Sequence, residues 1–117
     1  MGRLTTHVLD TAHGKPGAGI RIALFRSEDG RHALLKSALT NTDGRCDLPL
    51  LEGDALTEGR YRLTFAVADY FRGRGVVLPD PPFIEEVVLD FGIADRTLHY
   101  HVPLLVSPWS YATYRGS

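Results

Sequence analysis

The stretch RYRLTFAVA, residues 60–68, has the clearest strand pattern in the chain and decides the fold class. Large apolar side chains occupy every second position, and smaller or polar side chains lie between them. The apolar set consists of Tyr61, Leu63, Phe65 and Val67. A period of two is typical of a β-strand with one face in a hydrophobic core.

The same period recurs on both sides of this stretch, and helical periodicity is nearly absent. The further strand candidates are LTTHVL (4–9), IRIALFR (20–26), HALLKSALT (32–40), RCDLPL (45–50), IEEVVLDF (84–91), TLHYHVPLLV (97–106) and WSYATYR (109–115). Turn residues such as NTDG (41–44) separate them. About eight short strands with frequent turns predict an all-β sandwich or barrel built from antiparallel sheets. We expect a single helical turn in DYFRGRG, residues 69–75.

Composition limits the classes of protein and partner. The chain has 117 residues, of which 44% are hydrophobic and 23% charged, so we expect one folded domain over residues 1–117. The net charge of −1 provides no basic excess, which argues against nucleic-acid and membrane partners.

Cysteine usage and the terminal segment bear on the compartment. Cys46 is the sole cysteine, so an intrachain disulfide is impossible, which suits a reducing compartment. The N-terminal MGRLTTHVLD lacks the apolar run of a secretory signal, and no segment is apolar for long enough to span a bilayer. We expect a cytoplasmic protein.

Alternation also identifies polar side chains that point away from the core. In LHYHVPLL, residues 98–105, the apolar set is predicted to face inward, so His99 and His101 share the opposite face. The same argument turns His7 outward on the first strand and Arg45 outward after the NTDG turn. Three imidazoles and a guanidinium are therefore candidate functional groups.

These outward faces also carry apolar residues, namely Leu9, Pro103 and Leu105. An outward face that mixes apolar side chains with histidine indicates a pocket or a subunit interface. Whether the strands that carry the histidines are neighbours does not follow from a period of two.

Several chemical uses of this set remain open. His7, His99 and His101 together are a candidate zinc site with one open position, and the alternative is a pair of solvated histidines on one strand. A single histidine is suited to move a proton near neutral pH. Arg45 is suited to hold an anionic ring or an oxyanion. A nucleophilic role for Cys46 is disfavoured, because alternation turns Cys46, Leu48 and Leu50 toward the core.

Three motifs resemble the 5-hydroxyisourate hydrolase family, the transthyretin-like enzymes of urate breakdown. They are LTTHVLD (4–10), NTDGR (41–45) and HYHVPLLVSPWSYATYRGS (99–117). The resemblance implies a sandwich of two four-stranded sheets with one short helix. It also implies a homotetramer, a dimer of dimers with active sites in the channel between dimers, and chemistry without a metal or other cofactor.

The resemblance further implies an activity: hydrolysis of 5-hydroxyisourate to 2-oxo-4-hydroxy-4-carboxy-5-ureidoimidazoline, by direct attack of water on a cyclic amide. It implies His7, Arg45 and His101 as catalytic residues, with His7 and Arg45 also binding the substrate, and leaves open which histidine is the base. The further substrate-binding residues that it implies are His99, Tyr114, Arg115, Gly116 and Ser117. Ala112 stands where the family commonly has a small hydroxyl residue. The alternative is a transthyretin-like carrier of a small ligand, without catalysis.

Overall fold

The computed structural model describes residues 2–116, in which two β-sheets pack against each other around one core. Its elements are β1 (Arg3–Asp10), β2 (Lys15–Pro16), β3 (Arg21–Glu28), β4 (Arg31–Leu39), β5 (Leu51–Glu52), a 3₁₀ turn (Gly53–Ala55), β6 (Gly59–Phe65), α1 (Val67–Gly73), β7 (Val87–Ile93), β8 (Tyr100–Val106) and β9 (Tyr111–Thr113). The predicted all-β sandwich with one short helix is therefore confirmed.

The two sheets have different architectures. One has the strand order β4-β3-β6-β7 and is antiparallel throughout. The other has the order β2-β1-β8-β9, with β5 as a fifth strand that also pairs with β1. The expected four strands become five here, because the two-residue strands β2 and β5 share one edge of β1.

The expectation of purely antiparallel sheets is wrong for the central pair of this five-stranded sheet. Strands β1 and β8 run parallel, with Leu4 beside Tyr100 and Asp10 beside Val106. A tight turn forces two strands to be antiparallel, whereas a long crossover allows either direction. Here the whole second sheet lies between β1 and β8 in sequence, so period-two patterning carried no information about their relative direction.

The core follows the alternation in the sequence. The side chains of Leu24, Leu63 and Phe65 are fully buried, and Tyr61 is almost so. Burying one such side chain stabilises the fold by about 1.5–3 kcal/mol. The sandwich therefore depends on the strands whose pattern is clearest.

Helix α1 begins at Val67, two residues before the predicted turn, and ends at Gly73. Val67, which alternation assigned to the preceding strand, instead starts an i, i+3, i+4 pattern with Tyr70 and Phe71, and all three are buried. Within residues 2–116, no helix is long and apolar enough to cross a membrane.

The strand predicted over residues 45–50 is wrong. Arg45 makes a single bridge with His7, and no strand follows until β5. Leu48, expected to point inward, is 68% exposed, although Leu50 is buried as expected. Pro49 has no N–H to offer a strand ladder, which is consistent with the break.

Residues 45–49 form an arch over β1, and both ends of the arch are tied to that strand. The N–H of Val8 donates to the carbonyl of Gly44 at 2.8 Å, and the N–H of Leu50 donates to the carbonyl of Leu4 at 2.8 Å. Gly44 has a φ of +75°, and a Cβ at this position would collide with the Val8 carbonyl. The backbone of residue 44 therefore passes so close to the Val8 carbonyl that only glycine fits there.

Candidate active site

The arch opens a cleft of about 500 Å³ over the first half of β1 and β8. Its walls consist of Arg3, Thr5, Thr6, Arg45, Cys46, Leu48, His99 and His101. Three of the residues singled out from the sequence, Arg45, His99 and His101, thus lie in one concave site. Convergent polar groups in a cleft are typical of a small-molecule site.

His101 is held from two directions. The parallel register sets it beside Thr5, whose Oγ1 lies 2.8 Å from Nδ1 of the imidazole. On the other side, the N–H of Gly116 donates to the His101 carbonyl at 2.7 Å. A Cβ at Gly116 would lie 2.7 Å from Cδ2 of the ring, so the backbone of the terminal segment packs directly on the imidazole.

Charge and burial both act on this imidazole. Burial lowers the pKa of His101 below its ordinary value of 6.5, and the positive charge of Arg45 lowers it further. His101 is therefore neutral near pH 7 and has one protonated and one unprotonated ring nitrogen.

Arg45 follows a turn that Asn41 stabilises. The Asn41 side-chain oxygen accepts hydrogen bonds from the N–H groups of Asp43 and Arg45, at 2.9 and 3.1 Å. Among residues 2–116, the Arg45 guanidinium takes part in no salt bridge. An exposed guanidinium at the cleft wall without a carboxylate partner can bind an oxygen-rich ligand.

His7 is next to Arg45 at the edge of the cleft, but its side chain does not line the cleft. It bridges Arg45 through the backbone, and its Nε2 lies 2.9 Å from the carbonyl oxygen of Asp43. Because a carbonyl oxygen only accepts, Nε2 must carry the proton in this bond.

The cleft wall also includes Cys46, which packs against the core as expected, and Thr5, for which the sequence indicated no role. Cys46 is half-buried at the wall, and its burial raises the thiol pKa, so the thiol stays protonated near neutral pH. Thr5 lies two residues before His7 on β1, and its contact with His101 was not predicted from the sequence. This contact depends on the parallel register of β1 and β8, which the sequence pattern does not reveal.

Two residues of the terminal segment lie elsewhere. Tyr114 and Arg115 border a groove between β9 and β7, where the Arg115 guanidinium lies 4.3 Å from the ring centre of Tyr100. Arg115 also donates to the His99 carbonyl at 3.3 Å. Ser117 lies outside the described residues. Of this segment, Gly116 is the described residue that contacts His101.

The zinc alternative is not supported by the geometry. Among residues 2–116, no group of three or more His, Cys, Asp or Glu side chains is placed to hold a metal ion. His7, His99 and His101 therefore do not form a three-nitrogen site in this chain.

The fold and cleft define a class of protein: a transthyretin-like β-sandwich with a histidine and an arginine in a cleft beside the chain end. The sequence model of the HIUase/Transthyretin family matches residues 4–116. The chain belongs to this family.

The proteins that this chain resembles include both 5-hydroxyisourate hydrolases and transthyretins. A 5-hydroxyisourate hydrolase from Ralstonia nicotianae is 62% identical over 117 residues, which cover all of both chains. The solved 5-hydroxyisourate hydrolase of Klebsiella pneumoniae is 32% identical, with a TM-score of 0.80 and full coverage of both chains. Sea bream transthyretin, solved in complex with thyroxine, is 25% identical, with a TM-score of 0.86 and coverage of 97% of this chain and 94% of that one. Since backbone similarity is as high for the transthyretin as for the hydrolase, the fold alone does not separate the two functions.

Proposed function

We propose that this protein hydrolyses 5-hydroxyisourate to 2-oxo-4-hydroxy-4-carboxy-5-ureidoimidazoline in the urate degradation branch of purine metabolism. The observation that carries the proposal is the 62% identity, over the full length of both chains, with a relative named 5-hydroxyisourate hydrolase. The cleft supports it, because Arg45 and His101 supply the cation and the proton-transfer group that such a reaction needs.

The reaction opens a cyclic amide. The oxygen of a water molecule forms a bond to the ring carbonyl carbon and gives up a proton. The carbon–nitrogen bond then breaks, and the leaving ring nitrogen takes a proton. The new carboxylic acid releases its proton to solvent, so the single product carries a carboxylate and an N–H group where the ring was opened. The thiol of Cys46 is protonated near neutral pH, which favours direct attack by water over a covalent intermediate.

Each catalytic residue has a proposed role. One imidazole, of His7 or His101, removes the proton from water, and the other donates a proton or orients the substrate. General acid–base catalysis of this kind contributes about 10²–10⁴-fold to the rate. Arg45 binds the ring oxygens and stabilises the negative charge that develops on the attacked carbonyl, an interaction whose loss costs about 3 kcal/mol.

The terminal segment and the assembly complete the proposed site. We place His99 at the wall and Gly116 and Ser117 beside the purine ring. We also keep Tyr114 and Arg115 as substrate-binding residues of the assembled protein, although in the single chain they border a separate groove. We also propose a cytoplasmic homotetramer, a dimer of dimers with the clefts along the channel between dimers. Exposed apolar side chains support an assembly of this kind, since Leu34, Leu39 and Leu48 are between 59% and 68% exposed. Light scattering on the purified protein measures the mass directly.

An absorbance assay tests the activity. Freshly generated 5-hydroxyisourate should decay faster with the protein than without it, as followed by its ultraviolet band. Deleting Tyr114 to Ser117 should abolish the acceleration while the chain remains folded by circular dichroism. Decay at the spontaneous rate with the full-length protein would overturn the proposal, and full activity of the truncated protein would remove the tail from the site.

A carrier function is the second candidate, and the TM-score of 0.86 to sea bream transthyretin favours it. The cleft argues against it, because a carrier does not require a neutral imidazole beside a guanidinium. Tight thyroxine binding, measured by calorimetry, together with no effect on the decay of 5-hydroxyisourate would establish the carrier.

A further inference from the structure

The hydrogen bonds of His7 determine which of its ring nitrogens is free. Its Nε2 lies 2.9 Å from the carbonyl oxygen of Asp43, and a carbonyl has no proton to donate. The neutral ring therefore carries its proton on Nε2. Its Nδ1, which makes no hydrogen bond among residues 2–116, keeps a lone pair and can accept a proton.

The hydrogen bond of His101 involves the other nitrogen. Thr5 Oγ1 lies 2.8 Å from Nδ1, and a hydroxyl can either donate or accept in such a contact. The tautomer of His101 thus depends on the direction of this one bond. If Thr5 donates, the His101 proton is on Nε2, and if Thr5 accepts, Nε2 is unprotonated.

The direction follows from whether the Thr5 hydroxyl proton has an acceptor, as the hydroxyl protons of other threonines along these strands do. The hydroxyls of Thr6, Thr11 and Thr113 each donate to a carbonyl of β8, at 2.7, 3.1 and 2.8 Å. Thr5 faces the same strand, but it meets the imidazole of His101 where the others meet a carbonyl. Among residues 2–116, Nδ1 of His101 is the one acceptor within hydrogen-bond distance of the Thr5 hydroxyl. Donation to Nδ1 gives the hydroxyl proton a partner, whereas acceptance from Nδ1 would leave it without one.

We propose that Thr5 is a positioning residue that donates to His101 Nδ1 and thereby keeps the proton of this imidazole on Nε2, facing the cleft. Both histidines then have the same tautomer but expose opposite nitrogens. His7 offers the lone pair of Nδ1, and His101 offers the proton of Nε2.

This assignment rests on the proposed function and gives its two histidines different roles. His7 takes the proton from the attacking water at Nδ1 and then passes it to the leaving nitrogen as the carbon–nitrogen bond breaks. His101 stays neutral and donates a hydrogen bond from Nε2 to the oxygen that gains charge. Gly116 supports the arrangement, because its backbone packs against Cδ2, the ring carbon next to Nε2.

The tautomers of His7 and His101 can be determined by NMR spectroscopy, without any assay of activity. Long-range ¹H–¹⁵N correlation spectra of the uniformly ¹⁵N-labelled protein, recorded at mildly alkaline pH, distinguish protonated from unprotonated ring nitrogens. We expect the proton on Nε2 in both His7 and His101. A proton on Nδ1 of His101 in the wild type would overturn the proposal without the need for any variant, and it would leave the proposed hydrolase activity untouched.

Two substitutions then test the role of Thr5. Thr5→Val preserves the shape of the side chain but removes the donor, so the His101 spectrum should show a mixture of tautomers and kcat should fall by about tenfold. We expect KM to change little, because Thr5 acts through His101. Thr5→Ser keeps the hydroxyl and should restore both the spectrum and kcat.

Thr11→Val is the matched control, since it removes a hydroxyl that donates to the carbonyl of Val106, outside the cleft. We expect its kcat to equal that of the wild type. If Thr5→Val retains the wild-type tautomer and kcat while the wild type is active, the positioning role is wrong and the hydrolase proposal stands. If the wild type does not accelerate the decay of 5-hydroxyisourate, the hydrolase proposal fails, and the spectra still decide the tautomer.

Discussion

The two ends of the β1–β8 pair each contain a histidine in a polar cluster, and the two clusters are built in opposite ways. At the end of β1, Asp10 is 1% exposed and accepts hydrogen bonds from the Tyr70 hydroxyl at 2.7 Å and from His13 Nδ1 at 2.6 Å. At the start of β1, His101 bonds to the uncharged Thr5 and faces an open cleft.

The pKa shifts reflect this difference. Burial alone would raise the pKa of Asp10, but the hydrogen bonds from Tyr70 and His13 outweigh it and lower the pKa below 3.8. Burial and the bond to Asp10 raise the pKa of Tyr70 to about 12. The Asp10 carboxylate and the Tyr70 hydroxyl are partners of each other, and His13 adds a second donor, so the cluster attaches helix α1 to β1.

Polar side chains at the cleft end of the β1–β8 pair are less completely paired than those at the Asp10 end, which we call the closed end. There, an imidazole nitrogen and the Arg45 guanidinium are left without protein partners among residues 2–116. Polar groups that are left unsatisfied at a concave surface reduce stability and favour binding. The comparison predicts that substitutions at one end change activity and that substitutions at the other change stability.

The largest expected effect is that of His101→Asn, which removes the ring nitrogens from the cleft. We expect kcat/KM for 5-hydroxyisourate to fall by about 10²–10⁴-fold with the fold retained. His13→Asn is the matched control at the closed end, and its kcat/KM should stay unchanged in the absorbance assay. Equal losses in the two variants would contradict the division between the ends.

Arg45→Ala should have the next largest effect, since it removes the cation from the cleft wall. We expect a loss of about 10²–10³-fold in kcat. Arg72→Ala, which removes an exposed guanidinium on α1, serves as the control and should retain full activity. A normal kcat in Arg45→Ala would remove this residue from the mechanism.

At the closed end, Tyr70→Phe should lower the free energy of unfolding by about 1–3 kcal/mol, because the buried Asp10 carboxylate loses a donor. Urea unfolding at a fixed protein concentration measures this change. Activity per folded molecule should not change. A variant of normal stability but low activity would mean that this cluster serves the cleft.

The smallest expected effect is a pH dependence of stability that arises from His101. Its pKa in the folded protein is below 6.5, so the unfolded chain binds more protons between the two values. This contribution to stability is complete above pH 6.5 and is lost as the pH falls toward the lowered pKa. Urea unfolding across this range should show the decline in the wild type and not in His101→Asn. An identical decline in both proteins would assign it to another group.

The sequence predicted much of the fold, for reasons that particular residues make clear. The alternation of Tyr61, Leu63 and Phe65 reflects burial on one face of a strand, and such burial is a local property of the pattern. The pattern did not predict the path of residues 45–49, because that path depends on two backbone bonds to β1, at Val8 and Leu4.

The sequence likewise predicted some residues of the candidate site and missed others. Period two placed His99 and His101 off the core, and both lie at the cleft. It could not place Thr5 against His101, because a register between strands 96 residues apart leaves no trace in either strand alone.

The sequence by itself determined which faces of the strands are buried and which side chains are available for chemistry, since both depend on the local alternation of apolar and polar residues. Only the tertiary structure decided which of those side chains meet. The parallel pairing of β1 with β8, the arch over β1 and the return of Gly116 to His101 are all long-range contacts. Their geometry depends on how distant segments pack, and so does the division between an open cleft and a closed cluster.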